Sequence, residues 1–371
     1  MVSHQPNEIQ TLLLRAALAD GLVATAAYDA WRARVDLDHL DPASTRLIPL
    51  LAHNLRRGGL AVNLGRYDGL LKGTWVLYHK RVTRLLPVIE ALRAAGIPVM
   101  LMKGMAIAAA YSAHPGLRPM DDADLLVPVS QAAQAGAVLE SAGWHTMDPS
   151  PMQMATKHAR PYVATSQAQI DLHWAPLVEL VGQPDDDLWA RAEMGNLGGV
   201  PVRVMPAEDL LLQVVVHGAR WSAVPPIRWI ADAVTILQAR RETFDWDRLL
   251  ALASRHALML PLRDGLGLLA GTFDTPLPPY VSRALQRHRP SWFERVEQRT
   301  RAWTSPQVGG FPFLVCHHLR LTRGDGAVSR IAGLPRYLAD VYGLPSTRRL
   351  PGVLWQRARR QLSPDAPRRS S

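Results

Sequence analysis

The chain has 371 residues, 48% apolar and 20% charged, which excludes a disordered or collagen-like polypeptide and leaves room for two or three compact units. Forty-two Lys and Arg against 32 Asp and Glu give a net charge of +10, which favours polyanions, nucleotides or anionic surfaces without choosing among them. The only cysteine, Cys316, excludes an internal disulfide framework and a multi-cysteine zinc site, and it fits a reducing compartment.

The first twenty residues, MVSHQPNEIQTLLLRAALAD, have no basic stretch followed by a clean apolar run, so no signal peptide is expected. Leucines and alanines at three- and four-residue spacing predict helices in IQTLLLRAALADGLV and in YHKRVTRLLPVIEALRAAG, the second stopping at Gly96. Between residue 97 and about 204 the pattern shifts to short β-rich runs, IPVMLM, DADLLVPV, QAQIDLHW and VPVRVM, with a helix in SQAAQAGAVLESAG. Ser130 is the expected N-cap of that helix and Gly143 its stop. Pro206 then opens the helix PAEDLLLQVVVHGAR, with Glu208 and Asp209 in its first turn, and a further helix is expected through IRWIADAVTILQAR. Beyond about residue 270 Pro and Arg become frequent, and RRLPGVLWQRARRQLSPDAPRRSS reads as a basic, frayed tail.

The expected fold class is α+β, a small mixed sheet flanked by helical regions. The expected division is an N-terminal helical region over 1–95, the α+β core over 96–205, a second helical region over 206–300, and an Arg/Pro-rich segment over 301–371. Residues 96–111 and 210–216, the longest apolar stretches, fall short of the roughly 18 to 20 that span a bilayer. No membrane span and a cytoplasmic location are expected.

Chemistry concentrates in residues 97–127, IPVMLMKGMAIAAAYSAHPGLRPMDDADLLV. An apolar strand ends at Lys103 and Gly104, a short helix follows, and a second strand carries Asp122 and Asp124. Side chains alternate along a strand, so these two carboxylates share a face while Ala123 and Leu125 take the other. Paired carboxylates repel unless a cation lies between them, and magnesium in particular prefers carboxylates together with phosphate oxygens. Gly104, lacking a Cβ at a strand-to-helix turn, lets phosphates approach backbone N–H groups. Asp171, in the β-like run QIDLHW, is the candidate third carboxylate. The triplet alone is cheap: Asp36/Asp38 and Asp245/Asp247 repeat it, the first in a polar loop before Pro42 and the second where Asp245 N-caps WDRLLALASRH.

With Lys103-Gly104, then RPMDDADLLV from Arg118, then IDLHW from Ile170, the segment resembles the nucleotidyltransferase superfamily to which DNA polymerase β belongs. It is most similar to a poorly characterised bacterial nucleotidyltransferase family that reads LKG, a Tyr, R-x-x-x-D-x-D-L-L-V and I-D-L-H-W, and the similarity runs from about Leu101 to Asp232. The resemblance implies a mixed sheet flanked by helices, two Mg2+ ions, and transfer of a nucleoside monophosphate from an NTP with loss of pyrophosphate. It implies Asp122, Asp124 and Asp171 as catalytic metal ligands and Gly104 on the triphosphate. Lys103 and Arg118 are further nucleotide-binding candidates, with Arg118 favoured. His173, two residues past Asp171 and so on the same face, is a candidate to bind metal, assist proton transfer or orient the carboxylate from outside, and His217 is a further candidate outer partner, whereas Trp174 is expected in the core.

One departure from the superfamily is Met105 after Gly104, where a small or hydroxylated residue is usual. It supports the competing view of a nucleotide-binding or scaffolding module with little turnover. Nucleic-acid binding, suggested by the +10 charge, is less favoured because basic and aromatic residues do not interleave as in RNA-binding modules. The expected partners are an NTP and an unidentified acceptor: a small molecule, sugar or peptide rather than nucleic acid.

Overall fold

The computed structural model describes residues 5–60, 65–148, 152–218, 225–273, 275–303 and 311–362. Seven strands form one mixed sheet in the order β3-β4-β5-β2-β1-β7-β6, where β1 is Met100–Leu101, β2 Asp122–Leu126, β3 Trp144–Thr146, β4 Ala159–Ala164, β5 Gln169–His173, β6 Glu193–Leu197 and β7 Val200–Val204. Helices flank it on both sides of the sequence, giving the α+β class expected.

At the centre, β2 runs parallel to β5 and antiparallel to β1, while β1 runs parallel to β7. These inner strands each turn apolar residues into the core: Leu101, Leu125, Leu126, Leu172 and Val204 are all fully buried. The hairpins β3/β4 and β6/β7 complete the edges. Their sequences, WHT, ARPYVA and EMGNL, mix polar residues and a proline with few β-branched ones, and no strand is expected there from sequence. IPVMLM, by contrast, pairs over only two residues before the chain turns at Lys103.

The helices before the sheet follow the periodic pattern. Glu8–Leu18 is closed by a reciprocal capping box between Asn7 and Gln10. Buried Asn54, in the helix Ile48–Arg57, donates to the carbonyls of Ala16 and Ala19 and fastens that helix to the first. The long helix Gly65–Ala94 packs against the Pro115–Leu117 turn and the helix Ala132–Ser141, and Gly96, at φ +72°, reverses the chain into β1.

The N-cap of Ala132–Ser141 is Gln131 rather than Ser130, because Pro128 starts a single 3-10 turn over Val129–Gln131 that takes up Ser130. Gly143, at φ +84°, ends that helix as expected.

After β7, Glu208 and Asp209 sit in the first turn of Ala207–Gly218, and the Ala207 amide is capped by the Glu193 carboxylate of β6 at 3.1 Å. Arg228–Ala239 follows. A continuous apolar core runs from Leu13 through the sheet to Leu285, and a second, small cluster gathers Leu314, Tyr337, Leu338, Ala339 and Leu350.

The expectation of a frayed tail is overturned for residues 350–362. They form the helix Leu350–Leu362, because Leu350 docks into that second cluster and anchors a segment whose composition looked solvent-bound; residues 363–371 lie outside the described residues. Among the described residues no helix is long and apolar enough to cross a membrane.

Because Leu125 is fully buried in the central strand, Leu125→Ala should lower unfolding free energy by about 3 kcal/mol, read by urea denaturation.

Candidate active site

The parallel pairing of β2 with β5 sets Asp124 directly opposite Asp171, Asp122 opposite Gln169 and Leu126 opposite His173. Neighbouring strands lie roughly 4.8 Å apart, so register-matched residues put their side chains side by side on one face. Ligand atoms of Asp124, Asp171 and His173 accordingly lie within 4.8 Å of one another. Two carboxylates and an imidazole at that spacing suit a divalent cation, and the carboxylate pair favours a hard one. Asp122, two residues before Asp124 on the same strand, is half-buried and outside this group of three.

Asp124 is 4% exposed and is held by two donors. The Lys103 ammonium lies 2.5 Å from its Oδ1, and His173 Nε2 lies 2.9 Å from the same oxygen. Burial pushes the Asp124 carboxyl up, but the Lys103 charge and the His173 hydrogen bond outweigh it and hold the group far below the usual carboxylate range. Asp171 goes the other way: burial, then repulsion from Asp124, raises its carboxyl. His173 is itself 1% exposed, and its Nδ1 has no hydrogen-bond partner among the described residues.

Lys103 reaches Asp124 because its backbone sits at φ +43°, a left-handed conformation that costs a non-glycine residue roughly 1–2 kcal/mol. It opens the short helix Lys103–Ala106, which passes into a π-helical turn over Ile107–Tyr111. The expected nucleotide-binding lysine is thus turned onto the carboxylate site.

A Cβ on Gly104 would collide with the Arg118 guanidinium and come within 2.7 Å of Met120 Sδ. The space that the glycine leaves is therefore filled by Arg118. That guanidinium is clamped by Asp232, with Nε and Nη2 each 2.8 Å from a carboxylate oxygen. Burial opposes the Arg118 charge, yet Asp232 outweighs it and raises the guanidinium pKa. With Nε and Nη2 engaged, Nη1 is the nitrogen left over Gly104.

Arg228, on the same helix as Asp232, donates to the Pro119 carbonyl at 2.8 Å, and burial together with the Arg118 charge pushes its pKa down to about 10. Arg81 donates to the Asp121 carbonyl at 2.7 Å, and Arg46 pairs with the Asp121 side chain. Four arginines therefore gather on the segment that leads into β2.

Met105 is 1% exposed and belongs to the core. Trp174 is buried, its indole N–H donating to the Lys157 carbonyl at 2.6 Å. His217 is exposed on its helix and outside the metal-competent group. Asp232, Arg81 and Arg228 carry no local motif. From sequence, Asp232 and Arg228 are candidates to line the cleft only through their place on the helix after the family-like strands, and nothing in the sequence pairs Asp232 with Arg118.

A mixed sheet with paired aspartates on adjacent inner strands, beside a glycine turn that opens a helix, is the architecture of a nucleotidyltransferase. Residues 43–274, well over half of the chain, match the family described as uncharacterised nucleotidyltransferase, and the protein belongs to that enzyme family. No curated relative matches the chain at a significant level.

Among solved structures, ANT(2")-Ia in complex with adenylyl-2"-tobramycin is similar at 18% identity and TM-score 0.37, over 48% of this chain and 97% of that one. The solution structure of ANT(2'')-Ia gives 19% and 0.35, over 48% and 94%. An antigenic nucleotidyltransferase-like protein from Paracoccidioides brasiliensis gives 16% and 0.31, over 59% and 93%. Overlaps of this size are loose, and the antibiotic in the first name stays with that protein.

Two outcomes follow from the electrostatics. Asp171, raised in the folded state, costs stability as pH climbs from the ordinary carboxylate value of about 3.9 through its folded pKa, and the cost is complete above it. Asp124, lowered, contributes stability above about 3.9 that is lost as pH falls through its folded pKa. In metal-free buffer at pH 7, Asp171→Asn should therefore melt higher than wild type and Asp124→Asn lower, with the Asp171→Asn gain vanishing on acidification.

Asp232→Ala, which strands a buried guanidinium, should cost about 3 kcal/mol in urea denaturation. The double change Asp232→Leu/Arg118→Met should recover most of that loss.

Proposed function

We propose that the protein transfers a nucleoside monophosphate from a metal-bound NTP to an acceptor hydroxyl and releases pyrophosphate. The observation that supports this best is the register-matched pair Asp124 and Asp171, with His173 alongside, inside a chain of this family. The donor set fits the divalent ion that such chemistry needs: two carboxylates within one ion's reach, a buried imidazole beside them, and Asp122 as the carboxylate left for a second ion. Bound there, magnesium would offset charge on the triphosphate and on the departing pyrophosphate.

The protein's own groups do the rest. Asp124 is fixed by His173 and cannot drift from its neighbour. Arg118, immobilised by Asp232, directs Nη1 over Gly104 toward the phosphate chain, so its ordering is complete before substrate arrives. The acceptor oxygen attacks the α-phosphorus in line, the α–β phosphoanhydride bond breaks, and pyrophosphate leaves with the bonding electrons. Asp171 takes the acceptor's proton. No covalent bond to the enzyme is formed.

Met105, buried in the core, supplies no hydroxyl to the phosphates, and the cationic groups of Arg118, Arg81 and Arg228 stand in for it. A small molecule, sugar or peptide is the acceptor class we assign, since the sequence lacks interleaved aromatic and basic residues for RNA.

The test is label transfer from each of the four α-labelled NTPs, with and without magnesium, across a panel of such acceptors. Wild type should release pyrophosphate only with the metal. Asp124→Asn and Asp171→Asn should each fall by at least the roughly 100-fold that losing even an outer partner of a metal ligand can cost. Equal turnover by wild type and both variants would overturn the reading.

A further inference from the structure

The lysine before the glycine turn is the feature that this mechanism leaves unexplained. Lys103 Nζ lies 2.5 Å from Asp124 Oδ1, the oxygen that also receives His173, and the side chain is only 20% exposed. An ammonium at that distance from a buried carboxylate is a committed ion pair, not a surface lysine passing by.

The backbone gives a second, independent observation. Lys103 is one of three non-glycine residues at positive φ among the described residues, and it alone of the three touches the site. A strained conformation kept beside paired carboxylates is retained for what the side chain does there.

Formal charges indicate the consequence. Asp124 and Asp171 together bear two negative charges, and Lys103 cancels one of them. A divalent cation added to these three charges leaves them at +1, and Asp122 on the same strand offsets that only from a half-buried, better solvated position. A triphosphate removes that excess, because it brings several negative charges of its own and offers the displaced ammonium a new partner.

Resting on the nucleotidyltransferase reading above, we propose that Lys103 is a built-in counter-ion of the Asp124/Asp171 pair. It keeps the free enzyme a weak binder of divalent cations and makes the metal enter together with the triphosphate. Metal and nucleotide then assist each other's binding reciprocally, and the coupling is set by this one ammonium.

The probe is Mn2+ alone, titrated into the full chain in metal-free buffer and followed by the electron paramagnetic resonance of the free ion, with melting temperature as a second readout. Wild type and Lys103→Arg, which keeps the charge, should bind Mn2+ weakly. Lys103→Met should bind it about tenfold or more tightly and gain more in melting temperature from it. Lys103→Gln, which drops the charge but keeps a hydrogen-bond donor for Asp124, should behave like Lys103→Met and serves if the methionine variant does not fold. Asp124→Asn should abolish the binding.

Equal Mn2+ affinity in wild type and both neutral variants, with Asp124→Asn still deficient, would overturn the counter-ion while leaving the metal site standing. Should Asp124→Asn bind as well as every other variant, or none bind at all, the site reading fails first and the counter-ion with it.

Discussion

Two like charges held on adjacent strands are the constraint around which the centre of this molecule is arranged. Asp124 and Asp171 meet because β2 and β5 pair in parallel and in one register, and a slip by a single residue would turn one of them to the opposite face. The register is secured by apolar partners on the other face, Ala123 against Ile170 and Leu125 against Leu172, all buried. Hydrophobic packing thus supplies the force that holds two carboxylates closer than their charges favour. Asp171 bears the mark of that confinement, its carboxyl raised by burial and by repulsion from Asp124, while Lys103 and His173 hold Asp124 down.

Three elements compensate the confined charge, and each comes from a different part of the chain. Lys103 arrives from the turn after β1, through a backbone conformation that few side chains adopt. His173 arrives from the end of β5 and bonds the same carboxylate oxygen. Arg118 comes from the segment before β2 and is fixed by Asp232, 114 residues further on. The helical region after the sheet is therefore part of the site, since without Asp232 the guanidinium over Gly104 would have no fixed direction. This also gives Gly104 a different use from the one its position suggests. Its missing Cβ makes room for the protein's own arginine before any phosphate is considered.

The sequence was most legible where the physics is local. Helical periodicity located the helices on either side of the sheet, and alternating apolar residues located β2, β5 and β7, because Ala123 and Leu125, Ile170 and Leu172, and Val202 and Val204 all turn into the core. The edge hairpins were illegible for the converse reason. Strands β3 and β6 each pair on one side only and tolerate polar residues, and β4 carries Pro161 opposite Asp171, where a proline reads as a break. The helix Leu350–Leu362 was hidden in the same way, its basic composition concealing Leu350, which docks it.

For the site, the sequence indicated by itself which carboxylates stand on strands and, through resemblance to a known family, an expected centre of Asp122, Asp124 and Asp171, of which the structure brings Asp124 and Asp171 together. It also determined that Gly104 and Arg118 lie beside them in the chain. Tertiary structure alone decided that His173 rather than Asp122 completes the tightest group, that Lys103 faces a carboxylate, and that Asp232 directs Arg118. The physical reason is range. Alternation along a strand and capping at a helix end are set by neighbours a few residues apart, whereas an ion pair depends on which distant backbone a fold brings within about 3 Å, and residue order does not carry that distance.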